Sequence, residues 1–233
     1  MYDKIAGHFS STRYSQWNGV VDFLESLPPY SLVLDMGCGN GKYLTHSSNN
    51  HPLIMLGCDR SIELLRICRS HDDEVCLMDG LFMTYRQECF DCVISIAVIH
   101  HLSTNALRRR FIINMLNVLK NGGRGLIVAW AMEKDTSGRD TKSNRGYSKA
   151  DVMVQWQLQK KYSEEEAVYE RYYHMFHQGE LEWLLNTFDS IRVEKSWYER
   201  ENWFVSFVKI WIVYYQTLNT RDCNSSFCFW IMT

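Results

Sequence analysis

The sequence predicts an α/β protein with a doubly wound, mostly parallel sheet of seven strands, of which the last strand is antiparallel. Short apolar runs alternate with helix-length segments as far as residue 131, which is typical of parallel strands joined by helical crossovers. Three of the runs end at an aspartate, and the first leads into a glycine cluster. The last two predicted strands are close enough in sequence to pair antiparallel.

The helical segments are assigned from apolar residues that recur at helical spacing. They comprise residues 16–26, 61–70, 104–120 and 179–187. The first ends before Pro28 and Pro29, Ser61 is placed to cap the second, and a glycine pair at 122–123 is expected to end the third.

The strands are assigned from short apolar runs bounded by turn residues. They comprise residues 32–34, 53–56, 75–78, 93–97, 125–131, 189–197 and 202–209. The pattern is lost from 133 to about 170, where the chain is charged and polar and we expect a mobile insertion. We therefore predict one domain over residues 1–208 and an atypical tail at 209–233.

The composition excludes several classes of protein. The chain has 233 residues, of which 46% are hydrophobic and 22% charged, so it can bury the core of one ordinary domain. Its formal net charge of −2 excludes a strongly cationic nucleic-acid coat. Any contact with nucleic acid therefore requires a local basic face.

The sequence shows no sign of secretion or of a membrane span. The first residues lack the apolar stretch of a secretory signal, and no run reaches the ~18 apolar residues of a transmembrane helix. We therefore expect a cytoplasmic protein that is also nuclear, with its eight cysteines reduced. Cys89 and Cys92 have CxxC spacing but no second ligand pair nearby, so we predict no metal site.

A glycine-rich turn follows the first predicted strand. In a doubly wound sheet this is the position of the ligand-binding crevice, and glycines allow a ligand to approach the backbone closely. The candidate cofactor-binding residues in the turn are Asp35, Gly37, Cys38, Gly39 and Gly41. The spacing is GxGxG, and Lys42 replaces the third glycine of a dinucleotide fingerprint, which disfavours a nicotinamide or flavin cofactor.

Acidic residues at three successive strand ends indicate the chemistry of the ligand. Asp35 is placed to pair with an ammonium group, Asp59 to accept the ribose hydroxyls, and Asp79 to accept an adenine amine. A nucleoside that carries an amino acid and no phosphate is S-adenosylmethionine. Ile96, at the end of the fourth strand, completes the predicted cofactor site. Each acid taken singly has an alternative interpretation as a turn or cap residue.

Several stretches resemble a known family of enzymes. The segments are YDKIAGHFSSTRYSQW, DMGCGNGKYL, GCDRS, FDCVISIAVIHHLST and VAWAME. They are similar to the eukaryotic tRNA methyltransferases that convert 5-carboxymethyluridine at the wobble position to its methyl ester. The resemblance covers residues 1–208 and implies a class I, Rossmann-like methyltransferase fold, S-adenosylmethionine as cofactor and tRNA as substrate. It also implies a small zinc-binding activator protein as the partner in a heterodimer.

The chain departs from this family at a few positions. Asn18 and Asn121 stand where the family usually has proline, and both changes fit a helix start or a turn. The tail at 209–233 has no counterpart in the family.

The implied reaction guides the choice of catalytic candidates, because a carboxylic acid with a pKa near ~4 is already ionised and needs no general base. By resemblance, Arg13 lies in a lid segment over the cofactor and clamps the carboxylate or the cofactor; a surface arginine is the alternative. His100, after the fourth strand, is placed to position the uracil or its acid, or is a buried histidine.

Two further candidate residues and one loop can each be interpreted in two ways. Arg108 begins a cluster of three arginines that either grips phosphates or packs structurally. Trp130 either stacks on a base or belongs to the core. The loop at 134–149 holds five cations and two acids, which suits contact with tRNA or only solubility.

Two other functions stay open from the sequence. The same fold carries methyltransferases for small molecules or lipids, since fold does not determine function. A non-catalytic partner subunit that binds the cofactor for stability is the other alternative, although its expected mark, a damaged glycine turn, is absent.

Overall fold

The computed structural model describes residues 1–12, 15–45, 51–133, 148–158 and 168–211. The helices in these ranges are α1 (Tyr2–Ser10), α2 (Asn18–Glu25), α3 (Ile62–Arg69), α4 (Asn105–Val118) and α5 (Glu180–Asn186), with a 3₁₀ turn at Ile99–His101. The strands are β1 (Leu32–Met36), β2 (Ile54–Asp59), β3 (Val75–Leu77), β4 (Phe90–Ile96), β5 (Leu119–Trp130), β6 (Asp151–Gln157), β7 (Val168–His174), β8 (Ile191–Glu199) and β9 (Asn202–Lys209).

Seven strands form one sheet in the order β3-β2-β1-β4-β5-β9-β8. Strands β1 to β5 are parallel, and β9 pairs antiparallel with both β5 and β8. The predicted fold class and its antiparallel last strand are therefore confirmed. Strands β2 and β3 lie on one side of β1, and β4 and β5 lie on the other side. This change of side places a crevice at the carboxyl ends of β1 and β4.

Alternate residues of the central strands pack on opposite faces of the sheet, as the period of a strand requires. On β1, Val33 packs with α2 in one apolar cluster, and Leu34 packs with α4 and α5 in the other. Because both faces are covered by helices, the central strands are apolar almost throughout.

The helix starts follow the expected cap chemistry. The Ser61 hydroxyl accepts a hydrogen bond from the backbone N–H of Leu64, and Thr104 does the same for Leu107 at the start of α4. The predicted end of that helix is corrected by two residues, because α4 ends at Val118 and β5 begins at Leu119. The glycine pair at 122–123 lies inside β5 instead of ending the helix.

Helix α1 and the strands β6 and β7 were not predicted from the sequence. Contacts with α3 hold the nine-residue helix α1: Asp3 Oδ1 accepts hydrogen bonds from Ser61 Oγ at 2.6 Å and from the Glu63 N–H at 3.2 Å. Strands β6 and β7 form a two-stranded antiparallel sheet, whereas the hydrophobic pattern indicated no regular structure before residue 171. Residues 151–157 do alternate in burial, but Met153 on the exposed side hides the alternation. The mobility expected for the insertion stays a prediction.

Strand β9 ends at Lys209, one residue past the predicted end of the domain. The Lys209 ammonium donates to the carbonyl oxygens of Leu116 and Leu119, both at 2.9 Å, and pairs with Glu88 at 3.1 Å. Lys209 therefore joins β9 to the end of α4, while residues 212–233 of the tail lie outside the described ranges. Among the described helices, none is long and apolar enough to cross a membrane.

The pairing of β5 with β9 gives a test of the sheet. Gly125 lies opposite Phe207, and a Cβ on Gly125 would lie 2.2 Å from the Phe207 ring. We expect Gly125→Ala to destabilise the fold by about 1–3 kcal/mol, with the melting temperature falling about 2–4 °C for each kcal/mol. Thermal unfolding measures it. Adding Phe207→Leu should recover part of the loss, and strictly additive effects of the two substitutions would contradict this packing.

Candidate active site

A cavity of about 450 Å³ lies at the carboxyl ends of the parallel strands. Its floor comes from the turn after β1 and from the ends of β2, β4 and β5, and its walls include α1 and β7. The sequence-predicted residues that line it are Asp35, Gly37, Cys38, Gly39, Asp59, Asp79, Ile96, His100 and Trp130. Gly41 and Arg108 are not among the lining residues, and Arg13 lies outside the described residues.

The glycine turn is fixed to the neighbouring strand by its backbone. The N–H groups of Gly37 and Cys38 both donate to the Cys58 carbonyl oxygen, at 2.8 and 3.0 Å. Gly37 has a φ of +91°, and a Cβ there would lie 2.4 Å from a Val98 methyl group. Gly41 has a φ of +78° and packs against Asp73 outside the cavity, so it shapes the turn and does not line the site. Both positions require glycine.

Asp59 joins the glycine turn to the start of α3. Its two carboxylate oxygens accept hydrogen bonds from the N–H of Gly39 at 3.0 Å and of Ser61 at 2.8 Å. A carboxylate has about four acceptor positions, so Asp59 can also accept the hydroxyls of a ribose. Asp79 is similarly oriented, since its Oδ1 accepts the Leu81 N–H at 2.9 Å.

Asp35 is a buried carboxyl group with an unsatisfied oxygen. It is 2% exposed, and within the described ranges its Oδ1 has no hydrogen-bond partner. Burial, together with the negative charge of Asp59, raises the pKa of Asp35 to about 7 against the opposing effect of Lys42. A buried carboxylate without a partner is costly, and a bound ammonium group would satisfy it. Together with Asp59 and Asp79, Asp35 forms a set of hydrogen-bond acceptors that fits S-adenosylmethionine.

The thiol of Cys38 contributes shape to the site. Its contact with Cys68 and its burial both raise its pKa, so the thiol stays protonated at neutral pH and is a poor nucleophile. Across the described parts of the chain, no group of three or more His, Cys, Asp or Glu side chains is placed to hold a metal ion.

Beyond the cofactor residues the cavity is bordered by stacked rings. Trp130 stacks on Tyr173 with ring centroids 4.3 Å apart, and His100 stacks on the same tyrosine at 4.9 Å. His100 Nδ1 accepts the Trp130 backbone N–H at 3.2 Å. The neutral His100 ring therefore carries its proton on Nε2 and acts as a hydrogen-bond donor from that atom.

Arg108 makes the contacts of the structural alternative, and its catalytic role stays a prediction. It is 4% exposed, and its guanidinium donates to the Leu102 carbonyl oxygen at 3.0 Å and to Asn105 Oδ1 at 2.7 Å. Its Cζ also lies over the ring of Phe176. These contacts fix the turn that precedes α4, and Arg108 is not among the residues that line the cavity.

Sequence reasoning missed the contributions of α1 and of β7 to the site. Tyr2 and Phe9 of α1 line the cavity, as do Arg171 and Tyr173 of β7. Arg171 and Tyr173 are both buried on the inner face of the β6–β7 hairpin. The signal in the sequence was the alternation of Tyr169, Arg171 and Tyr173 at the period of a strand.

Known proteins resemble the chain in both sequence and structure. The family described as methyltransferase domain matches residues 34–127. A tRNA (carboxymethyluridine(34)-5-O)-methyltransferase of Schizosaccharomyces pombe is 38% identical over 222 residues, covering 88% of this chain and 92% of the relative. A Xenopus tropicalis protein, tRNA (carboxymethyluridine(34)-5-O)-methyltransferase alkbh8, is 36% identical over 90% of this chain, which spans only 40% of that relative.

A solved structure shares the fold at low sequence identity. It is a complex between the Haloferax volcanii Trm112 methyltransferase activator and a methyltransferase, with a TM-score of 0.62 and 14% identity. The match covers 90% of this chain and 97% of the other. At this identity the likeness shows the fold.

Because the carboxyl group of Asp35 is unsatisfied, its replacement should raise the stability of the unliganded protein and weaken binding of the cofactor. Its pKa is raised above the usual 3.8, so the folded state binds the proton more tightly and stability falls as pH rises from about 4 to 7. We expect Asp35→Asn to raise the melting temperature of the unliganded protein at pH 8 more than at pH 5.5. The same substitution should abolish binding of S-adenosylhomocysteine in calorimetry.

The matched control is Asp189→Asn, since Asp189 is exposed and outside the cavity. This variant should leave both quantities unchanged. An effect of Asp35→Asn on stability that is equal at the two pH values would contradict the assignment of the raised pKa.

Proposed function

The chain belongs to the tRNA (carboxymethyluridine(34)-5-O)-methyltransferases, and from this membership we propose that it methylates the carboxylate of 5-carboxymethyluridine at the wobble position of tRNA, using S-adenosylmethionine. The support is the similarity to the Schizosaccharomyces pombe relative along most of both chains, together with a cavity that holds the acids expected for this cofactor. When bound, S-adenosylmethionine supplies a methyl group on a positively charged sulfur.

The observation that carries the proposal is how the ring nitrogens of the two imidazoles in the cavity are hydrogen-bonded. His100 has its Nδ1 occupied by a backbone N–H. His101 contacts the Tyr2 hydroxyl at 2.7 Å and the Tyr172 carbonyl oxygen at 3.0 Å through its two nitrogens. Neither ring is therefore arranged as a general base. An ionised carboxylate needs none, whereas an alcohol or a neutral nitrogen nucleophile would.

The surroundings of the rings also suit this reaction. The acid is negative before methyl transfer and the ester is neutral afterwards, so the reaction reduces charge in the cavity. A site lined by Trp130 and Tyr173 excludes water, which favours a reaction that loses charge. His100 lines the same cavity, and we propose that it orients the uracil or its acid.

We also propose a small zinc-binding activator protein as a partner. A methyltransferase of the same fold forms a complex with the Trm112 activator in the Haloferax volcanii structure. In this chain β3 is an edge strand of the sheet, and Leu77 on it is 56% exposed. An exposed edge strand with apolar side chains is suited to pairing with another chain. As tRNA occurs in both compartments, we propose that the protein is cytoplasmic and also nuclear.

The function is tested by nucleoside mass spectrometry on a purified reaction. The substrate is tRNA from cells that lack the esterifying activity, incubated with S-adenosylmethionine and the chain, with and without the activator. We expect 5-carboxymethyluridine to be consumed and its methyl ester to appear. Asp35→Asn serves as the negative control.

Other outcomes of this assay identify the alternatives. Turnover of the cofactor with small molecules or lipids, and none with tRNA, would indicate a methyltransferase of another substrate class. Binding of S-adenosylhomocysteine without any turnover in the presence of the activator would indicate a non-catalytic subunit.

A substitution at His100 tests its role as a donor. His100→Phe keeps a ring that stacks on Tyr173 but removes both ring nitrogens, Nε2–H and the Nδ1 that accepts the Trp130 N–H. We expect kcat/KM for tRNA to fall by about 10- to 100-fold, the usual value of a hydrogen bond to a charged group. Calorimetry should find unchanged affinity for S-adenosylhomocysteine. Full activity of this variant would exclude a contact between His100 and the reacting base.

A further inference from the structure

Arg171 is a buried cation on the inner face of the β6–β7 hairpin. It lies on β7 between Tyr169 and Tyr173, which share its face of the strand, and it is 5% exposed. Its Cζ lies 4.6 Å from the ring centroid of Trp156 and 5.1 Å from that of Tyr173. The guanidinium plane is therefore supported by rings on an otherwise apolar surface.

The charge of Arg171 lacks a counter-ion within the described parts of the chain. Its Nε and Nη1 atoms are buried and have no hydrogen-bond partner there, and none of the ion pairs in these ranges includes it. Ring contacts contribute only about 0.5–2 kcal/mol, whereas a buried charge without a partner is strongly unfavourable. We therefore expect an anion to bind to the guanidinium of Arg171.

The position of Arg171 indicates where this anion comes from. The side chain lines the same cavity as Asp35 and Asp59. Its neighbour Tyr173 is the ring on which both Trp130 and His100 stack, so the guanidinium is one ring away from the ends of β4 and β5. S-adenosylmethionine also carries a carboxylate, next to the ammonium group assigned to Asp35. Arg171 instead packs against Tyr173, one of the rings that border the cavity beyond the cofactor residues, so we assign the anion to the second substrate.

We propose that Arg171 binds the carboxylate of the nucleobase that is methylated, a step that rests on the proposed function and names the group that recognises the substrate. Arginine is suited to this task because its planar guanidinium hydrogen-bonds a carboxylate in a fixed geometry. One carboxylate oxygen can be held while the other is methylated. The ester has no charge, so the pairing distinguishes the acid from both its ester and its amide and weakens when the product forms.

Binding of short anticodon stem-loop RNAs tests the proposal. The full chain, with S-adenosylhomocysteine and with the activator where the assay requires it, is titrated with RNA that carries either the 5-carboxymethyl group or the corresponding amide. We expect the wild-type protein to prefer the acid by about 10- to 100-fold, as for a charged hydrogen bond. Arg171→Met should bind the two RNAs equally, and Arg171→Lys should keep part of the preference.

The control variant is Arg192→Met, because Arg192 is exposed on β8 and does not line the cavity. It should retain the full preference for the acid. If Arg171→Met weakens binding of the acid and the amide RNA equally, the guanidinium contacts an RNA phosphate, and the proposal is overturned.

The melting temperature of the unliganded protein gives a second, independent measurement. Methionine can pack on Trp156 and Tyr173 without a buried charge, so we expect Arg171→Met to melt at the same temperature as the wild type or higher. A clear decrease would mean that Arg171 holds the fold together through a partner of its own, and would also overturn the proposal.

The proposed function and the role of Arg171 can be excluded separately. If the wild-type chain neither binds nor methylates the acid RNA, the proposed function fails, and the assignment of Arg171 fails with it. If the wild type methylates the acid RNA and Arg171→Met keeps its preference for acid over amide, the function stands and only the role of Arg171 is excluded.

Discussion

A carboxyl group buried where the sheet changes direction constrains the whole site. Asp35 is the last but one residue of β1, between β2 and β4, and it lines a cavity that is also bordered by Asp59. Its raised pKa reflects this crowding of negative charge in a buried place. The glycine turn is needed because any Cβ at Gly37 would collide with Val98 and close the approach to this carboxyl group.

The structure keeps two unpaired charges of opposite sign in one cavity. Within the described residues Asp35 Oδ1 and two nitrogens of Arg171 have no hydrogen-bond partner, and an apolar residue of similar shape at either position would be expected to stabilise the fold. Such unfavourable groups are typical of binding sites, where stability is sacrificed to function. Ligands that satisfy both charges would in turn stabilise the folded protein.

The cavity combines a sheet edge with elements outside the sheet. The cofactor residues follow β1, β2 and β3, whereas Arg171 and Tyr173 belong to the hairpin, and α1 is held over the site by the contacts of Asp3 with α3. This division explains how one fold serves many reactions, since the sheet binds the cofactor and the added elements select the substrate. The stacked rings of His100, Trp130 and Tyr173 join the two parts.

The sequence by itself determined the seven-stranded sheet, the glycine turn and the acids at the strand ends, because these depend on local period and on short motifs. The tertiary structure alone decided the role of the arginines. Arg108 and Arg171 are both buried, yet Arg108 donates to groups three and six residues away, whereas Arg171 lacks a partner within the described ranges. The burial of each arginine depends on packing between distant segments, and no pattern along the chain encodes it. The β6–β7 hairpin was not predicted although Tyr169, Arg171 and Tyr173 alternate at the period of a strand, because the exposed Met153 hides the alternation in β6.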